Sequence, residues 1–429
     1  MASVNIEVHH VTRVEGHGNV VVNARNGVLE ECRLDIVETP RFFEAMLLGR
    51  PYTEASHITS RICGICAVGH ATTSLRATEN ALGITPSEQT RLLRQLNFHG
   101  EMLDSHALHT YMLVAPDFFG VGSVIPLARS APDAVTRALR VKKLAGDLCA
   151  AICGRHTHPI AMTVGGFTHL PTIAEIKALR DRLVDARRDM DETVALFRRL
   201  PWPRFERETE YVALATPEQY AFIDGTITST DGASCQVDEY RKVTNERIME
   251  HSSAKHCGHR RDSYMVGALA RFNVNSRHLH PRARAAAEEL GLRPICTNPF
   301  MNTAAQVAEM VHCVEDAIRI CDELVVRGIK PESRPVFDGK GGGGVGSCEV
   351  PRGTLFHHYE IGEDGRITSA NCIIPTGQNL ANIEADMRAM VPQILDQGEE
   401  KVKMMMEMLV RAYDPCISCS THFLDVRFV

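Results

Sequence analysis

Two Cys-x-x-Cys segments, one near each end of the chain, constrain its fold more than any other feature. Each is followed three or four residues later by a histidine. The residues concerned are Cys63, Cys66 and His70 in the first segment, and Cys416, Cys419 and His422 in the second. This spacing lets two thiolates converge on one ion, because the turn between them brings both sulfur atoms to the same side. For either pair alone, buried thiols or a redox dithiol would be equally good interpretations.

The presence of two pairs favours one four-thiolate metal site. The pairs of a structural zinc ribbon are separated by about 15–20 residues, whereas 350 positions separate Cys66 from Cys416. Loop-closure entropy rises only logarithmically, so closing this loop costs about 3 kcal/mol more than closing a short one. Ferredoxin-like modules bunch their cysteines more closely. The spacing therefore predicts a metal site that joins the two ends of the chain, but it does not identify the metal.

Composition excludes several other classes of protein. The 429 residues are 44% hydrophobic and 23% charged, with a net charge of −6, which is typical of a soluble globular protein. No block of Lys and Arg is present, so we expect no nucleic-acid partner. Fourteen cysteines in a long chain favour free thiols and metal ligands over a disulfide framework.

The sequence predicts neither export nor direct membrane insertion. Residues 1–7 lack the basic and apolar regions of a signal peptide, so we expect a cytoplasmic protein. The most apolar stretch, residues 111–128, contains Asp117 and is interrupted by Pro116 and Pro126. Such a stretch cannot form an uninterrupted membrane-spanning helix.

Periodicity predicts an α+β protein that is mainly helical, with β-hairpins at its periphery. Asn26-Gly27 and Asp364-Gly365 are typical two-residue hairpin turns. They predict strands near 19–24 and 28–37, and a second hairpin within 356–374. Apolar residues at three-and-four spacing predict helices at 87–113, 131–153, 173–200, 281–290, 303–327 and 383–411, the last with a kink or break at Pro392.

Two further segments bear on the domain organisation. The glycine-rich residues 338–346 do not match a phosphate-binding loop, because Lys340 is followed by glycines, and we expect a close-packed turn near a site. Residues 209–241 are polar and turn-rich, which predicts a surface excursion rather than an interdomain linker. We therefore expect residues 1–429 to form a single domain.

Further motifs make the sequence similar to the large, catalytic subunit of nickel-iron hydrogenases over nearly its whole length. The motifs are VTRVEGH at 11–17, RFFE at 41–44 with GR at 49–50, the two cysteine segments, GR at 154–155 with HP at 158–159, GG at 165–166, EVPRG at 349–353, and PT at 375–376 with Asn379. Its compact length makes the chain resemble the cytosolic, multisubunit members. The resemblance implies long helices around a central metal site, on which the two ends of the chain converge.

The resemblance also implies a nickel-iron centre. Cys63, Cys66, Cys416 and Cys419 would hold nickel, and Cys66 and Cys419 would bridge to an iron that carries cyanide and carbon monoxide. Soft thiolates suit both metals. His70, one turn after Cys66 if a helix begins there, would donate a hydrogen bond to sulfur. Without the motif, His70 would be a packed core histidine.

A magnesium or similar divalent ion near this centre is a further implication. Its ligands would be Glu44, His422 and the backbone carbonyl of Cys372. Carboxylate and carbonyl oxygens are ordinary ligands for a hard ion, whereas histidine is unusual. Without the motif, Glu44 would be a solvated surface carboxylate.

Members of this family cleave dihydrogen heterolytically, and a nearby base takes the proton. By resemblance, the guanidinium of Arg352 would hang over the open coordination position, with Pro351 helping to fix it. Asp104 and Asp414 would hold that guanidinium by charge-assisted hydrogen bonds. An ordinary exposed charge on a helix is the alternative for Asp104.

The family also implies a route for protons. Cys416 would be the first acceptor, and Glu15 would pass the proton towards solvent. Without the motif, Glu15 would be an exposed charge in a turn.

Electrons need a partner subunit, because the other cysteines lack iron-sulfur spacing and are expected to be core thiols. The resemblance implies an iron-sulfur small subunit, and further electron-transfer subunits of flavin, nicotinamide, deazaflavin or disulfide-reductase type. A quinone-pocket or structural subunit of a respiratory-type complex would share the fold but lack the nickel thiolates. A zinc-stapled scaffold is a third hypothesis. All four cysteines are present, which favours the enzyme.

Overall fold

The structure is a computed structural model that describes residues 4–8 and 10–421. Its α-helices are α1 Phe43–Leu47, α2 Ala55–Thr59, α3 Ala67–Ala81, α4 Glu88–Ala107, α5 Ala115–Phe118, α6 Val124–Ser130, α7 Pro132–Cys153, α8 Ile173–Phe197, α9 Arg241–Thr244, α10 Ala268–Asn275, α11 Pro281–Glu289, α12 Asn302–Arg327, α13 Pro375–Ile394, α14 Glu399–Ala412 and α15 Ile417–Ser420. Its strands are β1 Val4–Val8, β2 Gly18–Arg25, β3 Val28–Ile36, β4 Met162–Thr163, β5 Gly166–Phe167, β6 Glu210–Ala215, β7 Thr226–Ser229, β8 Ser234–Cys235, β9 Arg247–Met249, β10 Ser252–His256, β11 Tyr264–Met265, β12 Gly342–Val350, β13 Gly353–Ile361 and β14 Ile367–Ile373. The prediction of a mainly helical α+β protein is confirmed.

Long helices form the core, and their boundaries follow local capping chemistry. Ser87 caps α4, because its hydroxyl accepts a hydrogen bond from the Thr90 amide at 3.0 Å. Thr172 and Glu175 form a reciprocal capping box at the start of α8. Helix α12 is buried along most of its length and packs against both α4 and α8, while α4 packs against α7. These four helices surround the largest part of the hydrophobic core.

Both predicted hairpins are present. Strands β2 and β3 pair in antiparallel fashion around Asn26 and Gly27, whose φ angles of 52° and 81° are those that this turn requires. They belong to a five-stranded sheet with the order β1-β2-β3-β10-β9, on which α13 packs. Strands β13 and β14 form the second hairpin and, with β12, a three-stranded sheet.

The close-packed turn predicted for residues 338–346 is wrong from Gly342 onwards, where β12 begins. A Cβ atom at Gly344 would lie 2.2 Å from the amide nitrogen of Ala81, and one at Gly346 would lie 2.2 Å from the carbonyl oxygen of Thr73. Both of these partner atoms belong to α3. Glycine therefore serves the close approach of a strand to a helix, rather than a turn.

Two other expectations need correction. Residues 209–241 are not simply a surface excursion, because β6 is buried and its Leu214 belongs to a second apolar cluster. The helix predicted at 383–411 is divided as expected, but α13 continues two residues beyond Pro392 and the break falls at 395–398. Helix α13 also begins at Pro375 rather than near 383. Its first turns carry buried polar side chains such as Gln378 and Asn379, which hide the apolar period. No helix in the described part of the chain combines the length and apolar character needed to cross a bilayer.

Candidate metal centre

The two cysteine segments meet in the interior. The sulfur atoms of Cys63, Cys66, Cys416 and Cys419 all lie within 4.8 Å of one another, and each residue is at most 5% exposed. The Cys63 and Cys416 sulfurs are 3.5 Å apart. The predicted convergence of residues 350 positions apart is thus confirmed.

Local backbone geometry points each pair of thiols inward. The amides of Ile65 and Cys66 each donate to the Cys63 sulfur at 3.3 Å, which closes the first turn. Cys66 then leads directly into α3, and Cys416 leads into α15. The Cys416 amide donates to the Thr376 hydroxyl at 2.9 Å, so the start of α13 holds the second segment in place.

The four thiols do not share one ionisation behaviour. Hydrogen bonds from neighbouring thiols, that of Cys416 above all, hold the pKa of Cys63 well below its ordinary value. Burial instead raises the pKa of Cys416 and Cys419. A metal ion would displace the remaining protons, because thiolate is the form that binds metals.

This donor set fits nickel and iron. Four soft sulfur atoms converge in a site shielded from water, which suits these metals better than magnesium or calcium. The concentrated negative charge also has a compensating cation beside it. Burial alone would lower the pKa of Arg352, but the Asp414 carboxylate and the nearby thiols outweigh burial and raise it.

Arg352 lies in the two-residue loop at the tip of a β-hairpin. Pro351 and Arg352 connect β12 to β13, in which Val350 pairs with Gly353. The Arg352 Nε donates to the backbone carbonyl of Asp414 at 2.9 Å, and its Nη2 lies 3.0 Å from that residue's Oδ1. Its Nη1 is buried and has no hydrogen-bond partner among the described residues. That N–H group is a donor available for a ligand at the site.

Arg271, which was not predicted from the sequence, fixes this hairpin tip. Its guanidinium donates to the carbonyls of Val350 and Pro351 at 2.9 and 3.0 Å, and it pairs with Glu309 at 2.6 Å. All of these groups are buried. An arginine within the apolar sequence of α10 was the available signal, since a buried charge requires partners.

The predicted hydrogen bond between Asp104 and Arg352 is not formed. Asp104 accepts instead from Lys142 of α7 at 2.7 Å, whereas Asp414 is the carboxylate partner of Arg352 among the described residues. The reason is the helical phase of α4, which turns Asp104 towards α7. The pairing predicted between Asp414 and Arg352 is present.

Glu101, three residues before Asp104, lies closer to the cysteine turn. Its carboxylate accepts from the amides of Val68 and Gly69 at 2.6 and 2.9 Å, at the N-terminus of α3. Burial, and then the charge of Cys63, raise its pKa well above the ordinary value. A glutamate on the buried face of an amphipathic helix was the signal that could have identified it.

Glu15 lies beside the second cysteine segment. Its carbonyl accepts from the Ile417 amide at 2.9 Å, and its carboxylate accepts from the Ser418 amide at 3.1 Å. Glu15 and Cys416 also form an isolated parallel β-bridge. The alternative of an exposed charge in a turn is therefore not supported.

An ionic link that was not predicted ties the Glu15 segment to α14. Asp117 accepts from Arg13 and, at 2.8 Å, from Arg411. Arg411 also donates to the Thr12 carbonyl at 2.9 Å. In the sequence, Asp117 was notable only for interrupting an apolar stretch. The link therefore holds residues 11–17 against the end of α14, the helix that precedes Cys416 in the sequence.

Of the predicted magnesium ligands, Glu44 and Cys372 are brought together. The Cys372 amide donates to the Glu44 carboxylate at 2.7 Å, and both residues are buried. Burial raises the pKa of Glu44 to about 7, against the opposing effect of this hydrogen bond. A cation there would favour the ionised carboxylate. His422 lies outside the described residues.

His70 follows Cys66 by one helical turn, as predicted, and its amide donates to the Cys66 carbonyl at 3.0 Å. Its Nδ1 lies 3.2 Å from His357 Nε2, and His357 Nδ1 lies 2.6 Å from the Tyr359 hydroxyl. His70 thus belongs to a buried polar chain with His357 and Tyr359. The hydrogen bond to sulfur remains a prediction.

Comparison with known proteins gives a consistent result. A family model described as nickel-dependent hydrogenase matches residues 41–137 and 229–422. The alpha subunit of sulfhydrogenase 1 from Pyrococcus furiosus is 35% identical over 420 residues, with 97% of each chain covered. The alpha subunit of sulfhydrogenase 2 from the same organism is 32% identical over 422 residues, with 98% of this chain and all of the relative covered. One subunit of the F420-non-reducing hydrogenase from Methanothermobacter thermautotrophicus is 30% identical over 458 residues, with 98% of this chain and 95% of the relative covered.

The fold agrees with these sequence relationships. A crystal structure of an NAD+-reducing [NiFe]-hydrogenase in the H2-reduced state superposes with a TM-score of 0.89 and 29% identity, covering 98% of this chain and all of the other. Sequence, fold and the buried thiol cluster therefore agree across nearly the whole chain. The chain belongs to the nickel-dependent hydrogenase family and is the catalytic large subunit of a nickel-iron hydrogenase.

Proposed function

We propose that the chain cleaves and forms dihydrogen heterolytically at its four-thiol cluster and passes the electrons to an iron-sulfur partner subunit. The observation that carries this proposal is the convergence of four buried thiols beside the guanidinium of Arg352. Cys63, Cys66, Cys416 and Cys419 would hold nickel, with Cys66 and Cys419 bridging to iron that carries cyanide and carbon monoxide. Bound there, the two metals would polarise dihydrogen and make it acidic.

The protein's own groups then handle the proton. In this proposal the Cys416 sulfur accepts it first, because a thiolate beside the reacting position is a competent base. Glu15 receives it next and carries it towards solvent. The hydrogen bonds that join Glu15 to Ile417 and Ser418 support this order, since they hold its carboxylate against the segment that contains Cys416.

Arg352 would orient a ligand or substrate through its Nη1 donor. Asp414 fixes the other side of the guanidinium, and Arg271 fixes the hairpin tip through the Val350 and Pro351 carbonyls. A donor held in this way needs no reorganisation when charge develops in the site.

A magnesium or similar divalent ion would bind at Glu44, with the Cys372 carbonyl and His422 as further ligands. The hydrogen bond from the Cys372 amide to the Glu44 carboxylate supports this assignment, because it brings two of the three proposed ligand residues together. The ion would stabilise the ionised carboxylate and connect β14 to α1, the helix that contains Glu44.

Electrons would leave through an iron-sulfur small subunit, followed by subunits of flavin, nicotinamide, deazaflavin or disulfide-reductase type. The relatives support such an assembly, since their names designate single subunits. Cysteines outside the cluster support it too. Burial raises the pKa of thiols such as Cys149, Cys313 and Cys321, which makes them poor metal ligands. All fourteen cysteines are free, which supports a reducing compartment such as the cytoplasm.

Metal analysis and infrared spectroscopy of the protein, purified together with its partner subunits, test this function. We expect nickel equimolar with the chain and infrared bands of metal-bound cyanide and carbon monoxide. Zinc without these bands would instead indicate a zinc-stapled scaffold. Absence of both nickel and the bands, in protein that is otherwise folded and assembled, would favour a structural or quinone-pocket subunit.

Arg352→Lys is expected to retain nickel but to lower hydrogen turnover by about 10²-fold, in line with the loss of one preorganised donor. Lysine keeps the positive charge but cannot reproduce the planar fork that contacts Asp414 while presenting Nη1. Turnover and nickel content should be measured together. The control is Arg319→Lys, since Arg319 is 52% exposed on α12 and pairs with Asp316 and Glu323. Unchanged turnover in Arg352→Lys would contradict the proposed role.

A further inference from the structure

We propose a second metal site, for zinc or a similar divalent transition-metal ion, formed by His251, His256 and Glu384. One ligand atom from each of these residues lies within 4.8 Å of the other two. The site is separate from the four-thiol cluster, with which it shares no residue.

Three elements bring these side chains together. His251 lies in the turn between β9 and β10, His256 ends β10, and Glu384 is on α13. The Glu384 carboxylate accepts from the Leu34 amide of β3 at 3.0 Å and from Arg388, one helical turn away, at 3.1 Å. These hydrogen bonds orient the carboxylate before any ion binds.

His256 provides the strongest indication of a ligand. The residue is 1% exposed, yet its Nε2 has no hydrogen-bond partner among the described residues. A neutral imidazole can present a lone pair at Nε2. A metal ion would provide this buried nitrogen with a partner.

His251 and Glu384, the other two proposed ligands, lie close to each other and to His256. The Nε2 of His251 lies 2.7 Å from a Glu384 oxygen, and the His251 and His256 rings meet edge to face with centroids 5.7 Å apart. Metal binding requires the His251 Nε2 to give up its proton, which moves to Nδ1 or to solvent. The His251 side chain is 19% exposed, and this opening lets the ion and water enter.

The donor types select the class of ion. Two imidazole nitrogens and one carboxylate oxygen are typical of zinc, with water in the remaining coordination position. Magnesium and calcium prefer oxygen ligands, and a sulfur-selective ion has no ligand in this set. The positive charge of Arg388 opposes the cation, but it lies on the far oxygen of Glu384. The ion would tie β10 to α13, whose Thr376 holds the Cys416 amide.

The test uses the enzyme purified with its partner subunits, incubated with zinc sulfate and then desalted. We expect zinc equimolar with the chain, and a zinc K-edge absorption spectrum with nitrogen and oxygen neighbours at about 2.0 Å. His256→Gln and Glu384→Gln should each lower retained zinc at least tenfold while leaving nickel unchanged. The matched control is His17→Gln, because His17 forms a similar but exposed pair with Glu38 at 3.1 Å and should not affect zinc.

Three results would overturn the proposal. The first is the absence of retained zinc in the wild-type enzyme. The second is a shell of sulfur neighbours at about 2.3 Å, which would place the zinc in the four-thiol cluster. The third is unchanged zinc in His256→Gln. Should a variant fail to assemble, the wild-type absorption spectrum alone decides, since it observes zinc without interference from nickel or iron.

Discussion

Serine in place of any one of the four cluster cysteines is expected to abolish hydrogen turnover and to remove most of the nickel. The variants are Cys63→Ser, Cys66→Ser, Cys416→Ser and Cys419→Ser. Oxygen is a harder ligand than sulfur and binds these metals less well, and under the proposed ligand set Cys66 and Cys419 would also lose a contact to iron. Nickel content and hydrogen uptake should be measured on each variant after purification with the partner subunits.

Cys149→Ser provides the matched control. Cys149 is also a buried thiol, but its sulfur has the carbonyl of Asn97 as an acceptor at 3.6 Å, which a serine hydroxyl can use. We expect this variant to retain nickel and turnover. Normal nickel and normal turnover in any two of the four cluster variants would contradict the assigned ligand set.

Glu15→Gln is expected to lower hydrogen turnover and hydrogen–deuterium exchange by about 10³-fold, within the usual range for loss of a proton-transfer group. Nickel and the infrared bands should remain, because glutamine can still accept from the Ser418 amide as Glu15 does. The amide cannot carry a proton as a carboxylate does. Exchange measured with and without an electron acceptor separates proton transfer from electron transfer.

Glu38→Gln is the control for this prediction. Glu38 is a neighbouring carboxylate that likewise accepts a backbone hydrogen bond, from the His17 amide at 2.9 Å. Among the described residues, Glu38 forms no hydrogen bond with either cysteine segment. Turnover of the Glu38→Gln variant should therefore stay close to normal. Loss of nickel in Glu15→Gln would indicate a structural role, and full activity would remove Glu15 from the proton route.

Local sequence patterns, such as turn dipeptides and helical periodicity, predicted the corresponding hairpins and helices well. Asn26-Gly27 identified a hairpin, and four of the six predicted helices are present with ends that differ by at most three residues. The helix predicted at 87–113 continues as a π-helix after Ala107, and the one predicted at 383–411 is divided between α13 and α14. The two cysteine pairs predicted their own convergence, because a shared metal site gives a reason for distant segments to meet. Each of these signals is carried by the residues that form the feature.

Features that depend on a distant partner were missed. Asp104 and Glu101 are three residues apart on α4, and the sequence alone does not say which of them accepts hydrogen bonds from the backbone that follows Cys66. Arg271 donates to the Pro351 carbonyl of the Arg352 hairpin, 80 residues away in the sequence. The residues next to Arg271 in the sequence do not indicate this partner. Gly344 was assigned to a turn because its glycine-rich neighbours are typical of turns. The helix α3, whose close packing requires glycine at this position, lies far away in the sequence.

Because the two cysteine pairs lie far apart in the sequence, they leave the ribosome at different times. Ribosomes add about 5–20 residues per second, so roughly 20–70 s pass between the emergence of Cys66 and that of Cys416. Throughout that interval only half of the ligands exist, and no complete site can capture an ion. The second cysteine segment can pack against Glu15 only once it has emerged, so binding of an ion by all four thiols is coupled to that step of folding.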